Sequence, residues 1–150
     1  MQKITTFLMF NNQAEDAMKF YTSVFPNSKI TTLIPGPAGA QGGTFEIDGQ
    51  AFFTFNGGPH FNFSEGMSLF VNCTDQKEID YYWDKLTANG GAESRCGWLR
   101  DKFGVSWQIV PENLGTFLQE RDPAKGKRIM EAFFAMNKIV IADLEAAAKG

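Results

Sequence analysis

One structural pattern is written twice along the chain, and this repeat restricts the possible folds more than any other feature. The first copy begins with a strand at 3–10, continues with a helix that Pro26 and Asn27 end, and closes with strands near 29–34, 44–48 and 51–56. Asp48-Gly49 is a typical hairpin turn between the last two. A Pro/Gly stretch, 35–43, is predicted to be a flexible loop.

The second copy repeats this order with a strand at 67–73, a helix at about 76–88 that Asn89-Gly90-Gly91 ends, and strands near 93–100 and 105–110. A shift of 62 positions aligns four apolar pairs of the two helices: Ala17 with Ile79, Phe20 with Tyr82, Tyr21 with Trp83, and Val24 with Leu86. The chain therefore predicts two tandem β-α-β-β-β modules of an α+β fold, with a short middle strand in the second.

Composition favours one folded domain over residues 1–150, with module one at about 3–56, module two at about 65–111 and a helical tail at 112–150. The net charge is −3 and the basic residues are scattered, which argues against nucleic acid or an anionic membrane as a partner. No apolar run is long enough for a membrane span and no signal-peptide pattern is present, so a cytoplasmic location is expected. Cys73 and Cys96 are expected to be reduced.

The tail has an apolar stripe made of Ile129, Met130, Phe133, Phe134 and Met136. It either covers the core of its own domain or meets a second subunit. These two alternatives remain open from the sequence.

Two strands of the second module have one apolar face and one mixed face. Trp107 falls on the apolar, helix-packed side of the last strand with Val105 and Ile109, while Gln108 falls on the other side with Ser106 and Val110. The strand at 67–73 divides in the same way. A face that mixes polar and apolar groups is typical of the wall of a wet pocket, although a solvent-facing surface gives the same pattern.

Two segments resemble the PhnB-like branch of the vicinal-oxygen-chelate superfamily, which includes glyoxalases, bleomycin-resistance proteins and extradiol dioxygenases. They are AEDAMKFY at 14–21 with VFPNS at 24–28, and CGWLRDKFGVSWQIVP at 96–111. With Val71-Asn72-Cys73 and Ile79 to Trp83, the resemblance extends over nearly the whole chain, including the tail. The resemblance implies a cup-shaped mixed sheet formed by the two modules and assembly into a homodimer. It also implies the family description 3-demethylubiquinone-9 3-methyltransferase.

Relatives of the glyoxalase type hold a divalent metal with His and Glu on four strands of the cup. The resemblance places these positions near Thr5, Phe52, Ser68 and Gln108, none of which is a good ligand, so no metal and no cofactor are predicted. His60, the only histidine, lies in a loop, and Glu46 is expected to face solvent. The glycine-rich segment at 36–43 leads into a strand rather than a helix, which does not favour a doubly wound methyltransferase fold.

The sequence therefore predicts a homodimeric cup that binds a small, partly aromatic molecule, with no catalytic residue assigned. Aromatic side chains supply apolar contact and polar ones orient the ligand, and the expected wall residues are Thr5, Phe7, Phe52, Thr54, Ser68, Phe70, Trp98 and Gln108. An enzyme of the superfamily with a non-standard or absent metal site, and a non-catalytic structural dimer, are the alternatives.

Overall fold

The computed structural model describes residues 2–150, in two compact units that divide after Asn62. Each unit has one four-stranded sheet, here called the first and the second sheet. The bounds in the first unit are β1 (Thr6–Phe10), α1 (Ala14–Val24), β2 (Ser28–Gly36), β3 (Gly39–Ile47) and β4 (Gln50–Asn56). Those in the second are β5 (Leu69–Cys73), α2 (Gln76–Thr87), β6 (Ala92–Glu93), β7 (Trp98–Arg100), β8 (Ser106–Pro111), α3 (Leu114–Leu118), α4 (Pro123–Ala135) and α5 (Ile141–Lys149).

The two sheets have the same topology. Their strand orders are β1-β4-β3-β2 and β5-β8-β7-β6, with a parallel pair (β1 and β4, β5 and β8) followed by antiparallel neighbours. The predicted repeat of β-α-β-β-β is therefore confirmed, and so is the α+β class with C-terminal helices.

One helix packs on one face of each sheet. In the first unit Tyr21 of α1 stacks on Phe45 with ring centroids 5.9 Å apart, and Phe45 stacks in turn on Phe52 at 5.0 Å. In the second unit α2 buries Ile79, Tyr82, Trp83 and Leu86, the four positions that the 62-residue shift pairs with the first helix. Each helix buries the apolar residues on one face of its sheet and does not cover the opposite face.

The predicted Pro/Gly loop at 35–43 is wrong, because most of this segment belongs to a long β2–β3 hairpin that turns at Pro37 and Ala38. Glycine is needed here for close approach of the backbones. A Cβ on Gly43 would collide with the carbonyl oxygen of Thr32 on the neighbouring strand. The glycines that read as a flexible loop are therefore the residues that let the two strands pair.

The N-terminus of α1 is held by a residue far away in sequence. Asn56 Oδ1 accepts a 2.9 Å hydrogen bond from the backbone nitrogen of Ala14, and Gln13, at the N-cap position, makes no side-chain capping bond. In α2 the cap is local, since Asp75 Oδ1 accepts from the nitrogen of Glu78 at 2.9 Å. The N-termini of the two helices are thus capped by different side chains from different places in the sequence.

The tail packs on the second unit and on itself. Its apolar side chains form a buried cluster with the end of β8, made of Val110, Leu114, Ile129, Met136, Ile139 and Leu144, against which Phe133 packs. Phe134, in contrast, is 56 % exposed. Most of the predicted apolar stripe therefore covers the core of its own unit.

The amide of Gln76 anchors the tail to the start of α2. Its Nε2 donates to the carbonyl of Ile139 at 2.9 Å, and its Oε1 accepts from the nitrogen of Ile141 at 2.8 Å. Next to it, Lys138 pairs with Asp80 at 2.9 Å. Hydrogen bonds from Gln76 and Lys138 hold the pKa of the Asp80 carboxyl below its usual value.

Candidate functional site

The second sheet has a polar and aromatic face on the side opposite α2. Along β8, Trp107 and Ile109 are buried on the helix side with Leu99 of β7, as predicted from the alternation. The residues that point the other way include Gln108. We call this side the open face and define it by Ser68, Phe70, Trp98, Arg100, Ser106 and Gln108.

Three of the predicted wall residues lie in one cross-strand row on the open face. Gln108 pairs with Phe70 of β5 on one side and with Trp98 of β7 on the other. Neighbouring strands lie about 4.8 Å apart, so the two rings flank the amide across three strands. Gln108 Nε2 donates a 2.9 Å hydrogen bond to Ser68 Oγ. The structure thus brings Ser68, Phe70, Trp98 and Gln108 together.

A cleft of about 350 Å³ opens beside Trp98, within the second unit. Arg100 and Ser106 form a cross-strand pair in it, and the side chain of Ser106 is buried. Arg100 Nη1 lies 3.5 Å from Glu65 Oε1. The lining residues are Glu65, Ala92, Glu93, Ser94, Trp98, Leu99, Arg100 and Ser106. Sequence reasoning missed Arg100, although its spacing of two from Trp98 places both on one face of β7.

The first sheet separates the other predicted wall residues. Phe7 is exposed and stacks on Phe53 with ring centroids 6.0 Å apart, while Thr5 is half-buried just before β1. Phe52 and Thr54, 5 % and 1 % exposed, point to the side that α1 covers. Phe52 and Thr54 therefore lie on the opposite face of the first sheet from Phe7, so the structure does not bring these predicted wall residues together.

Asp101 is a buried charge that the sequence did not single out. Its Oδ1 accepts from the backbone nitrogens of Phe103 and Val105, at 2.9 and 3.0 Å, and its Oδ2 accepts from Trp107 Nε1 at 2.9 Å. These three donors offset the cost of burying a carboxylate. Asp101 therefore fixes the turn between β7 and β8 and holds both strands of the open face in register.

The metal positions that the resemblance implies do not fit a metal in this chain. Phe52 has no donor atom and lies on the α1 side of its sheet, and Ser68 and Gln108 are bonded to each other. Among residues 2–150, no three His, Cys, Asp or Glu side chains are grouped as a metal site would require. Glu46 pairs with Lys29 at 3.9 Å, and His60 is exposed in its loop.

The duplicated topology and the site together define the class. Two sheets of the order described, each with one covering helix, are the fold of the vicinal-oxygen-chelate superfamily, with glyoxalase and bleomycin-resistance relatives. A family model described as 3-demethylubiquinone-9 3-methyltransferase matches residues 2–110. The chain belongs to this PhnB-like family.

Solved structures are similar to this chain. A PhnB protein from Bacillus cereus, provisionally described as a 3-demethylubiquinone-9 3-methyltransferase, is 38 % identical over 73 % of this chain and 99 % of its own, with a TM-score of 0.68. A protein from Staphylococcus aureus is 36 % identical over 75 % and 97 %, with a TM-score of 0.35. The protein PA1353 from Pseudomonas aeruginosa, 17 % identical over 75 % and 98 % with a TM-score of 0.61, shares the fold. No curated protein matches.

The family match ends before the tail begins. The model stops at residue 110, near the end of β8, so the match does not include the tail. A doubly wound methyltransferase approaches its cofactor with a glycine-rich turn after its first strand. The glycine-rich segment of this chain lies instead in the β2–β3 hairpin. Among the described helices, none is long and apolar enough to cross a membrane.

Proposed function

We propose that this protein binds a small, partly aromatic molecule on the open face of the second sheet. The observation that carries the proposal is the row of Phe70, Gln108 and Trp98, which sets an amide between two rings. Aromatic faces bind flat apolar groups, and a few placed polar groups fix their orientation. No reaction is assigned to the site.

The Ser68 hydroxyl limits how the Gln108 amide can turn. Because Nε2 is engaged with Ser68 Oγ at 2.9 Å, the amide plane is held and its oxygen keeps one direction. A side chain that is already held in place loses less conformational entropy when a ligand binds than a side chain that rotates freely. This favours ligands with a hydrogen-bond donor next to a ring.

Binding of neutral monocyclic aromatics tests the proposal. Saturation-transfer NMR of the full chain with phenol and benzamide should detect millimolar binding. Trp98→Ala should weaken it about tenfold, which corresponds to about 1.4 kcal/mol. Phe134→Ala is the matched control, because it removes an exposed ring from the tail. Equal binding by both variants would contradict the assignment to the open face.

We also propose that the protein is a homodimer in the cytoplasm, without a nucleic-acid or membrane partner. The net charge of −3 argues against a nucleic-acid or anionic membrane partner. The two free cysteines are typical of a protein in the reducing cytoplasm. Support for the dimer comes from the first sheet, where Phe7 and Phe53 stack in an exposed position beside Thr44. Contiguous exposed apolar surface marks sites of protein contact, and these two adjacent rings contribute such a surface.

Sedimentation separates the two surfaces that qualify for the dimer. The wild-type chain should sediment as a dimer with an interface of at least about 1,000 Å². Phe53→Ser should weaken the dimer if the first sheet forms the contact, and Phe134→Ser should do so if the tail does. A wild-type monomer at micromolar concentration would refute the assembly.

A further inference from the structure

One of the residues that line the cleft beside Trp98 is a cation, Arg100. Arg100 lies on the open face, paired across the strands with Ser106 and with Ala92, and Trp98 precedes it by two residues on the same side of β7. An indole face and a guanidinium therefore lie side by side in one depression of about 350 Å³. Its volume is at the lower end of the roughly 300–1,000 Å³ range of small-molecule sites.

The partner of this cation is held loosely. Glu65 Oε1 approaches Arg100 Nη1 at 3.5 Å, and the two side chains are 84 % and 53 % exposed. An ion pair so open to water contributes little, because solvent screens it and both side chains lose freedom. Glu65 also lies in the connection before β5 rather than on the sheet. A ligand anion can therefore replace it at small cost.

The second carboxylate of the cleft is directed elsewhere. Glu93 pairs with Leu99, which is buried on the α2 side, and Glu93 Oε1 accepts a 2.9 Å hydrogen bond from Trp83 Nε1 of α2. This bond keeps its charge away from the face that Arg100 occupies. When Glu65 moves aside, Arg100 is the charge that an entering ligand meets.

We propose that the ligand of this site is an aromatic carboxylate, with its ring against Trp98 and its carboxylate on Arg100 in place of Glu65. The inference rests on the proposed function and names the chemical class of its ligand. The planar guanidinium matches a carboxylate with two parallel N–H···O bonds, which the single 3.5 Å approach of Glu65 does not provide. The Ser106 hydroxyl lies next to Arg100 as a further polar contact.

Three ligands that share a ring and differ in charge test the proposal on the full chain. Benzoate should bind at least about tenfold more tightly than benzamide, and benzylammonium should bind most weakly. Arg100→Gln should abolish the preference for benzoate, because it should weaken benzoate binding far more than benzamide binding. Glu65→Gln should strengthen benzoate binding severalfold, since it removes the competing anion. Arg121→Gln, which removes an exposed cation from the segment between α3 and α4, is the control and should change nothing.

The possible failures point to different errors. Equal affinity for benzoate and benzamide, unaffected by Arg100→Gln, would overturn the carboxylate and leave aromatic binding at the open face intact. Preference for benzylammonium would also overturn it, because it would mean that the acidic side chains of the cleft, and not Arg100, select the charge of the ligand. Absence of binding by all three at millimolar concentration would overturn this proposal and the proposed function together. Because Glu65 and Arg100 are both exposed, their variants should fold, and thermal melts check this.

Discussion

The indole nitrogen of Trp107 donates a 2.9 Å hydrogen bond to Oδ2 of Asp101, and both side chains are almost fully buried. The bond joins the last strand to the turn that precedes it. Trp107→Phe should keep most of the volume but leave the carboxylate short of one donor, which costs about 1–3 kcal/mol. Trp107→Ala should cost about 3–5 kcal/mol, because it also opens a cavity. Denaturant melts that give both variants the same stability would contradict this role.

Gln108 provides the matched contrast one residue along the same strand. Gln108→Ala removes a single half-buried hydrogen bond, to Ser68, and should cost only about 0.5–1.5 kcal/mol. The same change should weaken binding of the aromatic ligand. A larger loss of stability for Gln108→Ala than for Trp107→Ala in urea melts would mean that the faces of β8 are reversed.

The tail should depend on Gln76 for its attachment. Gln76→Ala removes the bonds to the carbonyl of Ile139 and the nitrogen of Ile141, and should release α5 at a cost of about 1–2 kcal/mol. Limited proteolysis and hydrogen exchange should show faster cleavage and exchange in 141–149, with β8 unchanged. Lys127→Ala, which removes an exposed pair with Glu131, is the control. Unchanged protection in the Gln76 variant would refute the anchor.

Cys73 should make stability fall at high pH. Burial, and then the nearby Glu78 and Asp75 charges, raise the pKa of the Cys73 thiol from 9.0 to about 12. The folded chain therefore keeps this proton while the unfolded chain releases it, so stability is lost as pH rises from about 9 towards 12. Melts of Cys73→Val between these pH values should show a smaller loss than the wild type. An equal loss would contradict the assignment.

Thiol reagents give an independent measurement of the same difference. Cys73 is fully buried, whereas Cys96 is half-buried. At pH 8 a thiol reagent should modify Cys96 first and reach Cys73 only after unfolding. Faster modification of Cys73, detected by peptide mass, would mean that β5 is open to solvent.

The second module could be predicted in detail because its strands alternate clearly. In β8 the sequence sets Trp107 and Ile109 against Gln108, and both faces followed from that pattern. In β4 almost all residues from Ala51 to Phe55 are apolar, so the sequence does not alternate and does not show which side chains face the helix. The sequence therefore does not show that Phe52 and Thr54 lie on the α1 side of the first sheet.

Other features depend on contacts that no local pattern contains. The cap of α1 comes from Asn56, which lies 42 residues after Ala14 in sequence. The irregular register of β2 against β3 depends on backbone approach at Gly43. The approach of Arg100 to Glu65 joins residues that only the folded second unit brings together. These are tertiary effects, and local propensity does not predict them.

The central claim, that the open face of the second sheet binds the ligand, is tested most directly by the three tryptophan indole N–H signals of the full chain. Trp107 donates to Asp101 on the helix side, and neither residue lines the cleft, so its signal is the internal control. Trp83 donates to Glu93, which lines the cleft, so its signal is not a control. Titration with benzoate, followed in ¹⁵N-correlated NMR spectra, should shift the Trp98 indole signal in a saturable way and leave the Trp107 signal in place. A Trp98 signal that stays unchanged while the ligand binds, or a shift of Trp107 instead, would contradict the account.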